Sequence, residues 1–131
     1  MLMSGRLLLD TSVVIAIFRK DPAAEALVSG GGETFLPVPA LGELYYGVPR
    51  SRRPDLALAQ LTSFAATLTI LSCDDETARF YGEIKDKLLA KGRPLPENDI
   101  WIAAIARQHS MTLLTRDAHY DQISGLSVRR G

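Results

Sequence analysis

Four short, continuously apolar runs punctuate the chain: RLLL (6–9), ETFLPVP (33–39), LTILS (68–72) and MTLLT (111–115). The segments between them carry helical spacing. Runs this short, without polar alternation, predict strands buried on both faces, and their alternation with helices predicts a parallel sheet covered on both sides. Sheets of that kind place their sites beyond the carboxyl ends of the strands, at a switch in strand order. The first run raises the functional question directly, because RLLLDTSVVIAIF (6–18) has one aspartate, Asp10, amid its most apolar stretch. An ionised carboxylate among leucines and valines costs several kcal/mol unless something pairs with it, about 2–7 kcal/mol even for an unpaired neutral polar group.

The remaining spacing fills in the layers. Asp21 followed by Pro22 caps a short helix that closes at the glycines 30–32, and PALGELYYGV places Leu41, Leu44, Tyr45 and Val48 on neighbouring helical faces. A further helix covers 54–68, a long amphipathic one runs from Asp75 to Lys91 and stops at Gly92, and NDIWIAAIARQHS is apolar nearly all round, as a buried helix is. RDAHYDQISG is a connection with room for one helical turn, and LSVRR reads as an edge strand. At 131 residues the chain is expected to form a single domain, 1–131, with a core that needs no disulfide; its lone Cys73 offers neither a disulfide nor a cysteine zinc site. The opening MLMSGRLLLD is too short for an export signal and no window approaches a membrane span, so the expectation is a cytoplasmic chain that engages no membrane.

Fifteen basic residues balance fifteen acidic ones, which excludes a strongly basic nucleic-acid binder. Any nucleic-acid contact must come from local clusters. Arg50, Arg52 and Arg53, in the turn between two helices, are the candidates for phosphate contacts.

Four acids fall at comparable places. Asp10 and Asp117 follow strand ends, while Glu43 and Asp99 sit early in helices that leave the same sheet edge. Each has an ordinary explanation alone: a helix-start acid for Asp10 and Asp99, a surface helix residue for Glu43, a turn former for Asp117. Together in one crevice they would repel and raise one another's pKa unless a cation compensated. An all-oxygen set suits Mg²⁺ or Mn²⁺, ions that retain water, acidify it and stabilise phosphate oxygens during in-line displacement.

LLLDTSVVI, PALGELYYG with Glu43, PENDIWIAAIA and LLTRDAHYDQISGL, in that order and spacing, resemble the signature regions of the PIN domain, above all the VapC-type ribonuclease toxins. The resemblance runs nearly end to end. It implies a three-layer α/β/α sandwich with a central parallel sheet, a Mg²⁺- or Mn²⁺-dependent endoribonuclease that leaves 5′-phosphate and 3′-hydroxyl ends, a small antitoxin partner, and a homodimer. By position, Asp10, Glu43, Asp99 and Asp117 match the family's acidic quartet, with Asp10 and Asp99 as direct metal ligands, and Thr11 and Thr115 match the hydroxyls that support it.

Other residues receive plainer readings. Glu97 is taken as a cap, His109 and His119 as structural, and Trp101 as core, while Tyr45 and Tyr46 stay open between substrate stacking, an antitoxin groove and the core. A haloacid-dehalogenase-type phosphatase would need a second acid where Ser12 stands, and a receiver domain would need an acidic pair after its first strand. The alternatives that survive are a PIN-like RNA- or partner-binding module with little activity and a nuclease of RNA maturation.

Overall fold

The computed structural model describes residues 5–130. Five strands, β1 (Arg6–Leu9), β2 (Glu33–Pro37), β3 (Thr69–Leu71), β4 (Thr112–Thr115) and β5 (Ser127–Arg130), form one sheet in the order β3-β2-β1-β4-β5. Every pairing is parallel, with Leu8 opposite Phe35 on one side and opposite Leu113 on the other. The helices are α1 (Thr11–Phe18), α2 (Pro22–Ser29), α3 (Val38–Gly47), α4 (Pro54–Ala65), α5 (Asp75–Ala90) and α6 (Glu97–Gln108). The expected parallel sheet flanked by helices is therefore the architecture observed.

Strand order reverses between β1 and β4: the chain steps outward from β1 to β2 and β3, then returns through α5 and α6 to β4 on the other side. That reversal opens a crevice beyond the carboxyl ends of β1 and β4, where an open parallel sheet takes its ligands. Asp10 directly follows one of these strands, and Asp117 lies two residues beyond the other.

The strands are as buried as their composition demands. Leu7, Leu8, Leu9, Leu113 and Leu114 are all essentially inaccessible, and α6 buries Ile100, Ile102 and the run Ala103–Ala106 against α5, α3 and β4. A helix with small and branched apolar residues around most of its girth has no solvated face to keep, so it becomes the core of its layer. Its amino end is pinned by Asn98, whose Nδ2 donates to the Pro39 carbonyl at 3.0 Å. Glu97 does not cap this helix. Its carboxylate instead accepts from the Tyr81 hydroxyl and from Lys85 Nζ at 3.0 Å, and Trp101 stacks on Tyr81 with ring centroids 4.1 Å apart. Trp101 is thus half-buried in a layer with α5 and not deep in the core.

One boundary differs from the sequence reading. Val38 and Pro39 belong to the first turn of α3 and not to β2, because proline is tolerated at a helix start, where its missing N–H would have no helical partner anyway. The connection at 118–122 is the single tight helical turn that the sequence left room for.

Candidate active site

Asp10 occupies the N-cap position of α1, yet its carboxylate makes no capping hydrogen bond. It is 2% exposed and receives three hydroxyls instead: Ser12 Oγ at 2.7 Å and Thr115 Oγ1 at 2.8 Å on Oδ2, and the Tyr120 hydroxyl at 3.0 Å on Oδ1. This is the partner that the apolar run required. Ser12 and Thr115 are also acceptors, for the backbone N–H of Arg116 and of Asp117, each at 3.0 Å. Asp10 is therefore wired through two hydroxyls to the backbone just beyond β4, and its own N–H donates to the Leu114 carbonyl at 2.9 Å. Sequence neighbours of one strand end hold the acid of the other.

Tyr120 is fully buried, and its phenol is pushed strongly upward in pKa by burial and then by the charges of Asp10 and Asp99. It stays a neutral donor between two carboxylates.

Asp99, in the first turn of α6, has a side chain only 13% exposed. Burial raises its pKa, the nearby charge of Asp10 raises it further, and the Tyr120 hydroxyl and the His119 ring oppose the shift. Asp117 is half-exposed at 48% and, like Asp10, stands at an N-cap position without capping. His119 places Nε2 2.7 Å from Oδ2 of Asp99 and 3.7 Å from Oδ2 of Asp117. That nitrogen is shielded from solvent, and neither approach is directional enough to be a hydrogen bond. One donor atom from each of Asp99, Asp117 and His119 lies within 4.8 Å of the others, the spacing of ligands around one divalent cation. Two carboxylates and an orphaned imidazole nitrogen fit such an ion chemically as well.

The predicted residues are therefore not all equivalent. Asp99 and Asp117 converge. Asp10 adjoins them through Tyr120 but lies outside the cluster of possible ligands among the described residues. Glu43 is exposed on α3 and accepts from Thr11 Oγ1 at 3.1 Å, so it faces the crevice from the α1 side. Thr11 donates to Glu43 and Thr115 donates to Asp10. Arg50 is folded back on its own element: Nη1 donates to the Tyr46 carbonyl at 2.7 Å and the guanidinium lies 3.7 Å from the centre of the Tyr46 ring. Arg52 and Arg53 are exposed just ahead of α4.

Three contributors were not assigned by the sequence reading: Ser12, His119 and Tyr120. Tyr120, fully buried, needs a partner for its hydroxyl and finds it in Asp10, but that burial is not legible in the sequence.

A five-stranded parallel sheet with acids gathered at its switch point is the arrangement of the PIN domain, and the family model of that name matches residues 7–126. The chain belongs to this family, and within it to the VapC ribonuclease toxins. It is 35% identical over 127 residues to the ribonuclease VapC4 of Mycobacterium tuberculosis, covering 94% of this chain and 95% of that protein. Among solved structures, VapBC-5 of Mycobacterium tuberculosis, a member of the VapBC family of toxin–antitoxin systems, is 33% identical with a TM-score of 0.75, covering 95% of this chain and 96% of that one. VapBC2 of Rickettsia felis bound to a promoter DNA fragment shares the fold at a TM-score of 0.87 and 24% identity, over 96% of this chain and 98% of that one.

Proposed function

We propose that this chain is the toxin of a type II toxin–antitoxin pair and hydrolyses RNA phosphodiester bonds at the carboxyl edge of its sheet, using Asp10, Glu43, Asp99 and Asp117 with Mg²⁺ or Mn²⁺. The observation that carries the reading is the convergence of Asp99, Asp117 and His119 donor atoms within 4.8 Å at the topological switch point. A divalent cation there supplies charge compensation for the phosphate and acidifies a water.

The chain's own residues do the positioning. Asp10, fixed by Ser12, Thr115 and Tyr120, stands behind the cluster and ties β1 to the loop that carries Asp117. Asp99 and Asp117 would hold the cation. Glu43, exposed and bonded to the Thr11 hydroxyl, is the carboxylate with freedom to orient the attacking water and take its proton. Burial around Asp99 and Tyr120 lowers the local dielectric, which strengthens each of these charge interactions. Arg52 and Arg53 offer backbone-phosphate contacts to the RNA, with Arg50 able to join them by leaving Tyr46.

The antitoxin partner is supported by an apolar groove of about 320 Å³ between α1, α3 and α4, lined by Ile15, Phe18, Leu44, Val48 and Leu61 with Arg19 and Glu43 also in its wall. Tyr46, Leu56 and Leu58 lie exposed on the same helices and extend the apolar surface available to an antitoxin or to a second copy of the chain. No helix among the described residues is long and apolar enough to cross a membrane.

The test is cleavage of end-labelled tRNA and a ribosomal-RNA hairpin by antitoxin-free protein with Mg²⁺ or Mn²⁺, with EDTA, and with Asp99→Asn. Discrete cuts lost in both EDTA and the variant are expected. Folded wild type that cuts none of several RNAs would make the chain a binding module. Cuts with no growth arrest on expression would make it a nuclease of RNA maturation.

A further inference from the structure

The acidic reading of the site leaves one donor unused, and it is a nitrogen. His119 sits on the tight turn after β4, and its neighbour Tyr120 is fully buried and bonded to Asp10, so the turn is anchored where His119 projects. The His119 side chain is 39% exposed, but Nε2 itself is shielded and faces Oδ2 of Asp99 at 2.7 Å and Oδ2 of Asp117 at 3.7 Å. Nε2 therefore stands against two acceptors without a directed hydrogen bond to either. An imidazole nitrogen and two carboxylate oxygens converging this closely form an arrangement that a shared cation makes favourable.

We propose that His119 Nε2 binds the divalent cation directly, beside Asp99 and Asp117, and that this nitrogen biases the site toward Mn²⁺ over Mg²⁺. The inference rests on reading the cluster as a metal site. Its chemistry is that of donor type: Mg²⁺ takes oxygen ligands almost exclusively and keeps its waters, whereas transition ions accept imidazole readily. An all-carboxylate site would lack this bias.

The experiment uses the antitoxin-free chain loaded with Mn²⁺ and reads ¹⁴N coupling by electron spin-echo envelope modulation, which senses a nitrogen bonded to the ion whether or not RNA is cut. Wild type is expected to show ¹⁴N coupling. His119→Gln is expected to lose it, to bind Mn²⁺ at least about tenfold more weakly, as even an outer-shell partner costs, and to give up Mn²⁺ more readily to added Mg²⁺. Mn²⁺ bound by wild type, lost in Asp99→Asn, but without ¹⁴N coupling overturns the proposal and leaves the metal site standing. Wild type that binds neither ion overturns both, and because the deciding spectrum is taken on wild type, instability of a variant does not obscure the result.

Discussion

Asp74 and Asp10 both stand at the N-cap of a helix, and each is hydrogen-bonded to a threonine with no exposure at all. Asp74 spends its carboxylate on the helix: Oδ1 accepts the Thr77 N–H at 2.9 Å and Gln108 Nε2 at 2.9 Å, closing a capping box that also staples α5 to α6. The backbone N–H of Thr77 is the main reason its pKa falls. The Asp10 carboxylate caps none of its helix's N–H groups and, besides Ser12 of that helix, is held by hydroxyls from two other elements of the crevice wall. Asp21 caps α2 as Asp74 caps α5, whereas Asp117 abstains as Asp10 does. An acid at a helix start is structural when its oxygens meet the helix's own N–H groups; when they do not, the fold has oriented it for something else.

The sharpest way to break this comparison is to neutralise each acid. Asp10→Asn is expected to lower RNA cleavage roughly 10³-fold, the scale of removing a preorganised charge from an active site, with the melting curve still cooperative. Asp74→Asn is expected to leave cleavage within about twofold, inside the scatter of surface substitutions, and to lower Tm. Equal loss of cleavage in both would erase the distinction between capping and oriented acids.

A finer cut exchanges the two buried threonines for valine, which keeps shape and removes one hydroxyl. Thr115→Val leaves Oδ2 of Asp10 with one donor fewer and orphans the Asp117 N–H. Cleavage is expected to fall about 10- to 100-fold, as for other partners that orient metal-site carboxylates. Thr77→Val opens the hydroxyl half of the α5 capping box and removes the Gln108 contact instead, at a cost of about 1–3 kcal/mol in urea unfolding, with cleavage by the remaining folded protein unchanged. Loss of cleavage in Thr77→Val would mean that the α5–α6 staple positions Asp99 through its helix.

The same comparison explains what a reader of the sequence could see. Strand ends, helix starts and the buried girth of α6 follow from local patterning, so Asp10, Asp117 and Asp99 could be placed at one edge before any coordinates. Capping could not be read so reliably. Whether a helix-start acid turns inward to its own N–H groups depends on competing donors, and for Asp10 two of these, Thr115 and Tyr120, arrive from more than a hundred residues away. Glu97 shows the converse: it has the sequence look of a cap and is drawn off by Tyr81 and Lys85. A lone histidine is usually structural, and only the return of β4 beside β1 brings the Nε2 of His119 against Asp99.

The smallest effect in the series tests the remaining acid by its cost to the fold. Burial and the Asp10 charge raise the Asp99 pKa above its ordinary value of 3.8, so between the two values the folded chain binds more protons than the unfolded one. The stability this contributes is fully present below the unfolded pKa and is lost as pH rises through the folded one. Metal-free Asp99→Asn cannot incur that loss. Its stability is expected to match wild type at low pH and to exceed it near neutrality by on the order of 1 kcal/mol, about 4 °C in Tm for a domain of this size. Saturating Mn²⁺ should reverse the order, since the cation stabilises only a chain that keeps the carboxylate, by an amount set by its concentration over its Kd. Asp74, whose pKa is lowered, should show the opposite sign without metal: Asp74→Asn should grow less stable relative to wild type as pH rises through the carboxylate range, and no further above it. Calorimetric scans from pH 3 to pH 8 on both variants read the two signs directly, and a common sign would mean that the two acids experience the same environment after all.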